Sequence, residues 1–492
     1  SQFFTLGDLT PNTTYYIALK ATDDAGNVSE LSNVAEAQTA HTVNEITVSN
    51  FSELQDAVSD LDSYTTILLE DGTYNVSQEL RIGDDGSGDP LQEVTLKGKS
   101  GNREAVVLKG NGMDNDSSPN ILLKIRNVVD TTIQDMIIRD ARYHHIQIKG
   151  EQGAQSPHLK NLHLIDAGQQ FFKIRNADDG VIEDCLFEFL DHAKIQDSQI
   201  GGTYYYTKPI DILWDGDGWH IKNNTFKRIR APHDNPDAPD GITKAAIEVW
   251  NNSRDTIVEN NRFINCDRAI FFGNMSGESP DHIGGIIRNN FIYRQSGQAG
   301  DTGIALNRTS GVKVYNNTVI LNGTFGWNIE YRRYETEENE PADMIKNNIT
   351  DGTIRKRDYG KAELSNNIIN ADESWFAAPA NGDLHLTATA TPAIDQGVAL
   401  DAVSIDIDGE SRPRGDSYDI GADEYNSNYD PSQQQDRKGD LNRDGEVNSS
   451  DFGELVANWF QAPDLDFLDL NGDGRINVRD LGVLMSNFGT GN

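Results

Sequence analysis

The chain has 492 residues, more than one ordinary compact domain holds, so several units are expected. A formal net charge of -36 excludes an overall basic nucleic-acid binder. With 36% hydrophobic residues, the acidity reads as a solvated surface on a folded body rather than as disorder. There is no long apolar run of the kind a helical membrane span needs. Cys185 and Cys266 have no metal-ligating partner nearby in sequence and are expected to be buried free thiols.

The first predicted unit is residues 1–40. The stretch Leu9-Thr-Pro-Asn-Thr-Thr-Tyr-Tyr-Ile17, followed by the turn ending at Asn27, resembles the last two strands of a fibronectin type III domain. The resemblance makes Tyr16 the corner tyrosine. Half a β-sandwich cannot bury its own face, so the sequence is expected to begin within a domain.

A repeat fills the middle of the chain. Asn-Asn recurs at Asn223-Asn224, Asn260-Asn261, Asn289-Asn290, Asn316-Asn317, Asn347-Asn348 and Asn366-Asn367. The second members are 37, 29, 27, 31 and 19 residues apart, the scale of one coil of a parallel β-helix with insertions on one side. Buried Asn side chains at equivalent turns can bond along such a stack. Short strands fall in a second register: Ile146–Ile148, Phe172–Ile174, Ile210–Ile212, Ile247–Val249, Ile270–Phe272, Ile304–Leu306, Ile329–Tyr331 and Ile354–Lys356. Their flanking residues are almost all apolar and their middle residue varies, which with a period of two puts the flanks inside and the middle outside.

Those outward positions form two rows. One reads Lys124, Gln147, Lys173, Asp211, Glu248, Phe271, Ala305, Glu330, Arg355; the next reads Arg126, Lys149, Arg175, Leu213, Trp250, Gly273, Asn307, Arg332, Arg357. Together they hold eight cations and three carboxylates on a strongly acidic protein, as a trough for an anionic ligand would. Trp250 is expected to be exposed for stacking on a sugar ring. Two insertions lead into this region, residues 191–209 with Tyr205 and Tyr206, and residues 229–243 with His233. His220 aligns with Val181 and Ile257 and reads as structural.

Residues 45–425 resemble the pectate-lyase-like superfamily of secreted carbohydrate enzymes, in coil architecture and in phrases such as Ser253-Arg-Asp-Thr-Ile-Val-Glu-Asn-Asn-Arg-Phe263. The segments Asp406–Arg414 and Asp419–Tyr425 resemble the tail that closes many such β-helices. The fold class is therefore mainly β, a right-handed parallel β-helix. The resemblance implies a secreted, monomeric enzyme acting on an anionic, uronate-containing polysaccharide by β-elimination. In that chemistry a cation neutralises the sugar carboxylate, a base removes the C5 proton and an acid serves the leaving oxygen. Lys173 suits the base, beside Arg175 and Lys149; Asp211 and Glu248 suit a groove Ca²⁺; Trp250, Tyr205, Tyr206, His233, Glu330 and Arg332 suit substrate contacts. A glycoside hydrolase or epimerase using Asp211 and Glu248 stays open, as does a non-catalytic carbohydrate-binding or adhesion solenoid.

Residues 426–438 are polar and read as a linker. Beyond it two loops repeat one another: Asp440, Asn442, Asp444, Glu446, Asn448 and Asp451, then Asp469, Asn471, Asp473, Arg475, Asn477 and Asp480. Oxygen donors fall at loop positions 1, 3, 5, 9 and 12, with a backbone carbonyl at 7 and a turn glycine (Gly445, Gly474) at 6, the pattern of a Ca²⁺ loop. Aspartate at the twelfth position and an apolar segment after each loop resemble the duplicated dockerin type I domain over 439–490. That likeness implies two Ca²⁺ ions, a small paired EF-hand-like helical module and a cohesin-like partner.

Overall fold

The structure, a computed structural model, describes residues 9–22, 25–39, 41–190, 193, 195–198, 202–205, 207–232, 241–275, 280–429, 452, 481, 484 and 485. The loop residues Tyr206 and His233 and all twelve candidate Ca²⁺ ligands lie outside them.

Residues Thr14–Ile17 and Ala35–Gln38 form an antiparallel pair. Alternation along the first strand turns Tyr15 and Ile17 inward and Tyr16 outward. The tyrosine that bonds back to the upstream backbone is accordingly Tyr15, whose hydroxyl accepts from Thr10 N–H at 2.9 Å. Tyr16 instead points away and reaches the Glu36 carboxylate at 3.3 Å.

From Asn44 onward the chain winds as a parallel β-helix. Helix Phe51–Ser59, capped by Asn50 Oδ1 on the Glu53 N–H, lays Leu54, Ala57 and Val58 against the first coils. One wall is a ten-stranded parallel sheet running from Leu80–Ile82 to Thr353–Asp358. The other two walls are continuous through the ten-residue strands Thr132–Ala141 and His158–Ala167, then split into paired three-residue strands. Ile146, Ile148, Phe172, Ile174, Ile210, Ile212, Ile247 and Val249 fill the interior completely buried. Rings stack along the axis, Phe187 on Phe226 at 4.6 Å and Phe226 on Phe263 at 4.7 Å.

The paired asparagines do two different jobs. Each first member (Asn223, Asn260, Asn289, Asn316, Asn347, Asn366) has φ between 50 and 57°, the left-handed region that asparagine tolerates. That residue turns the chain so that the second member points inward. There the second members form a ladder: Asn224 N–H donates to Asn261 Oδ1, Asn261 to Asn290, Asn290 to Asn317, Asn317 to Asn348 and Asn348 to Asn367, at 2.9–3.1 Å. Each Nδ2 also donates to backbone carbonyls, as Asn261 does to Ile221 and Glu259.

Cys185 stands at the rung before Asn224, and its thiol faces the equivalent carbonyls of Leu159 and Glu183. Both cysteines are free and buried. His220 pairs with Val181 and Ile257 in register and bonds Glu259, within an alternating row of Lys160, Glu183, Lys222, Glu259 and Arg288.

The tail lies alongside the coils rather than over their end. First-member asparagines hold it: Asn289 Nδ2 donates to Ile405 O, Asn316 Nδ2 to Asp419 O and Gly421 O, and Asn347 Nδ2 to Val398 O. Inside it Arg412 and Glu424 form a fully buried ion pair at 2.6 Å.

The ladder makes a checkable statement. Asn317→Ala should cost about 3 kcal/mol in chemical denaturation, because each unsatisfied buried group costs roughly 1–3 kcal/mol. An exposed control on the same wall, Glu363→Ala, should cost nearly nothing.

Candidate functional site

Parallel pairing sets the outer face of the ten-stranded wall. Arg81, Lys124, Gln147, Lys173, Asp211, Glu248, Phe271, Ala305, Glu330 and Arg355 are successive partners. Arg126, Lys149, Arg175, Leu213 and Trp250 follow one another two residues on. Asn307, Arg332 and Arg357 continue that second row further along. Because strands stack about 4.8 Å apart, each side chain is within reach of its neighbours.

The trough is less cationic than the two rows alone imply. Carboxylates from flanking turns enter it: Glu79 pairs Lys124 at 2.8 Å, and Glu151 lies 3.8 Å from Lys149 and 3.5 Å from Arg175. Glu330 pairs Arg357 at 2.9 Å and also accepts from the Trp327 indole. Neither Glu79 nor Glu151 occupies a row position, so row alignment passes them by.

Asp211 and Glu248 are adjacent, as expected, but they are not a vacant cation site. Lys208, three residues before Asp211 on the same strand, places its ammonium 3.0 Å from Asp211 Oδ1 and 3.0 Å from Glu248 Oε2. Trp250 Nε1–H donates to Asp211 at 2.9 Å, and Asn274 Nδ2–H donates to Glu248 at 3.0 Å. The two carboxylates are only 2% and 4% exposed. The groove Ca²⁺ is thus corrected: a buried ammonium bridges these oxygens where a metal would. Trp250 is corrected too, being half-buried, with Lys208 4.8 Å from its ring centre.

Lys173 is different. It is half-buried on the trough floor and has no salt bridge among the described residues. Burial, then Arg175 and Lys208, pull its proton affinity below that of an ordinary lysine, while Asp211 acts in the opposite sense. Arg175 stacks its guanidinium 3.9 Å from the Trp214 ring centre. On the same strand as Lys173, the side-chain amide of Gln170 is buried with neither its N–H nor its carbonyl partnered.

Glu330 and Arg332 sit four strands beyond Asp211. They help line a cleft of about 300 Å³ with Lys244, Glu248, Arg268 and Arg357. Tyr205 ends the strand Gly202–Tyr205, which pairs antiparallel with Ile195–Ser198 within the first insertion.

Residues 144–336 match the family model described as a right handed beta helix region, and residues 438–488 match the dockerin type I domain. The chain carries a right-handed parallel β-helix and a dockerin type I segment. No curated protein matches it. Among solved structures, it is similar to an alginate lyase from Paenibacillus sp. str. FPU-7, at 13% identity over 66% of this chain and 95% of that one, TM-score 0.40. It is similar to the pectate lyase Pel9A at 15% identity over 78% and 97%, TM-score 0.39. A family 28 exopolygalacturonase of Yersinia enterocolitica shares 12% identity over 75% and 83%, TM-score 0.37. Likeness of this degree transfers neither a reaction nor a substrate.

The Lys208 cluster can be tested directly. Lys208→Met should destabilise the β-helix by about 3–5 kcal/mol, the cost of stranding buried charge. Adding Asp211→Asn and Glu248→Gln to it should recover much of that loss in urea denaturation.

Proposed function

We propose that the ten-stranded face binds an anionic, uronate-containing polysaccharide and cleaves it by β-elimination, with Lys173 as base. The observation that carries the reading is Lys173 itself: a half-buried amine on the trough floor, without a salt bridge among the described residues and with depressed proton affinity. Such an amine is neutral more often than a solvated lysine, and the neutral form can accept a proton. Arg175, on the same strand and the same face, would offset the sugar carboxylate and so acidify C5–H. Lys173 Nζ takes the C5 proton, the C–H electrons form the C4=C5 double bond, and the C4–O bond breaks. The departing oxygen takes its proton from water.

The hydrolase alternative is weaker on geometry. Asp211 and Glu248 are already engaged by Lys208, Trp250 and Asn274, which leaves neither carboxyl free to approach a glycosidic oxygen.

In the dockerin type I segment, the donor set is all oxygen and fits Ca²⁺; Asp440, Asn442, Asp444, Asn448 and Asp451 would hold one ion, with the Glu446 carbonyl. Asp469, Asn471, Asp473, Asn477 and Asp480 would hold the other, with the Arg475 carbonyl. Bound Ca²⁺ offsets the mutual repulsion of these carboxylates, and the segment would then dock a cohesin-like protein outside the cell.

Three outcomes are expected. With uronate polysaccharides, wild-type protein should release ultraviolet-absorbing 4,5-unsaturated ends, and Lys173→Ala should release none at an unchanged melting temperature. Arg175→Gln should move the alkaline rise of the rate to higher pH, since removing a cation raises the pKa of the lysine that must be neutral. Chelation should abolish the calorimetric transition of the C-terminal segment and leave that of the β-helix in place.

A further inference from the structure

Lys208, Lys244, Arg268, Arg332 and Arg357 gather at the far half of the trough, against the carboxylates of Asp211, Glu248, Asp301 and Glu330. The pairings are specific. Lys208 bridges Asp211 and Glu248, Arg268 holds Asp301 Oδ2 through two nitrogens at 2.9 and 2.6 Å, and Arg357 holds Glu330 at 2.9 Å. Among the described residues these three cations are thus matched to carboxylates. Arg332 is the guanidinium without a salt bridge among the described residues, and its buried Nε–H has no hydrogen-bond partner.

Beside it in the row, Asn307 is 6% exposed, lines the same cleft and has an unpartnered, buried Oδ1. A buried guanidinium N–H and a buried amide oxygen in one cavity each call for a polar partner, water or ligand, and here a donor and an acceptor stand side by side on one wall. The cleft, of about 300 Å³, has room for one sugar ring.

We infer that this cleft is a subsite for a single uronic acid unit, with Arg332 taking the carboxylate and Asn307 Oδ1 accepting from a ring hydroxyl. Arginine matches a carboxylate in shape as well as in charge, and Arg332 has no carboxylate of its own among the described residues. The subsite deepens the reading of an anionic polysaccharide, on which it rests. It also gives that chain a direction. Arg332 lies five strands beyond Lys173, so a ligand touching both runs along the axis of the coils for roughly 24 Å at about 4.8 Å per strand. The subsite then serves to hold the chain in place, separate from bond breaking.

Binding by calorimetry to the Lys173→Ala protein, which removes turnover, tests it. The probes are hexagalacturonate, hexamannuronate and a hyaluronan hexasaccharide, each alongside its carboxyl-reduced counterpart. At least one acidic probe should bind, and Arg332→Gln should weaken it by about tenfold or more, the worth of a charged hydrogen bond. Arg332→Lys should recover part of the loss, and the reduced counterpart should be indifferent to all three side chains. Unchanged affinity in a folded Arg332→Gln protein would overturn the subsite, as would failure of every acidic probe to bind. If wild type binds a probe through Arg332 but yields no unsaturated product, the elimination reading falls and the subsite stands.

Discussion

One turn organises the molecule: a left-handed asparagine followed by an asparagine aimed into the core. In a parallel β-helix the strands bond only to neighbouring coils, so the bends between walls turn some N–H groups away from any strand. The second asparagine meets the one from the coil behind through Oδ1, and through Nδ2 adds a bond to carbonyls and to the next rung. Each rung also fixes the height of the next. The walls from Asn224 onward, with Glu248 and the far half of the trough, share their register with this stack.

The trough shows how charge is handled on a wall whose side chains cannot avoid one another. With neighbours about 4.8 Å apart, an unmatched row of cations would repel itself, and carboxylates from the turns are drawn in to balance it. Glu79 and Glu151 do this from the turns, Glu330 does it from within the row, and Lys208 does the reverse for two acids in the centre. What remains after this balancing is more informative than the total. Among the described residues Lys173, Arg332, Arg126 and Arg355 have no salt bridge; Arg126 bonds the Gly83 carbonyl and Arg355 lies over the Trp327 ring, whereas Lys173 and the Arg332 Nε–H have no hydrogen-bond partner and are the positions that a charged ligand would complete.

Much of this architecture was legible in the sequence because it is periodic. The Asn-Asn spacing announced the coils, and the apolar-variable-apolar strands announced which residues share a face; the pairing of Lys173 with Asp211 and Asp211 with Glu248 follows from that alternation. What could not be read was anything that depends on a residue off the row. Lys208 stands three positions before Asp211, where a strict period of two points it inward, yet its long side chain brings the ammonium to the carboxylates of the outer face. Its presence turns an expected metal pair into an ion cluster. Tyr15 rather than Tyr16 bonds back to the upstream backbone for a related reason: adjacent tyrosines differ only in which side of the strand they take, and no neighbouring alternation is long enough to decide it.

The asparagine stack has a consequence for how such a protein can change. Consecutive rungs are separated by as few as 19 and as many as 37 residues, yet the bond between them keeps nearly the same length. Surplus chain is therefore expelled sideways without disturbing the interior, and the longest surplus leads into the strands of the trough. Lineages could lengthen, shorten or rewrite those loops, and with them ligand preference, while the packed interior is left untouched.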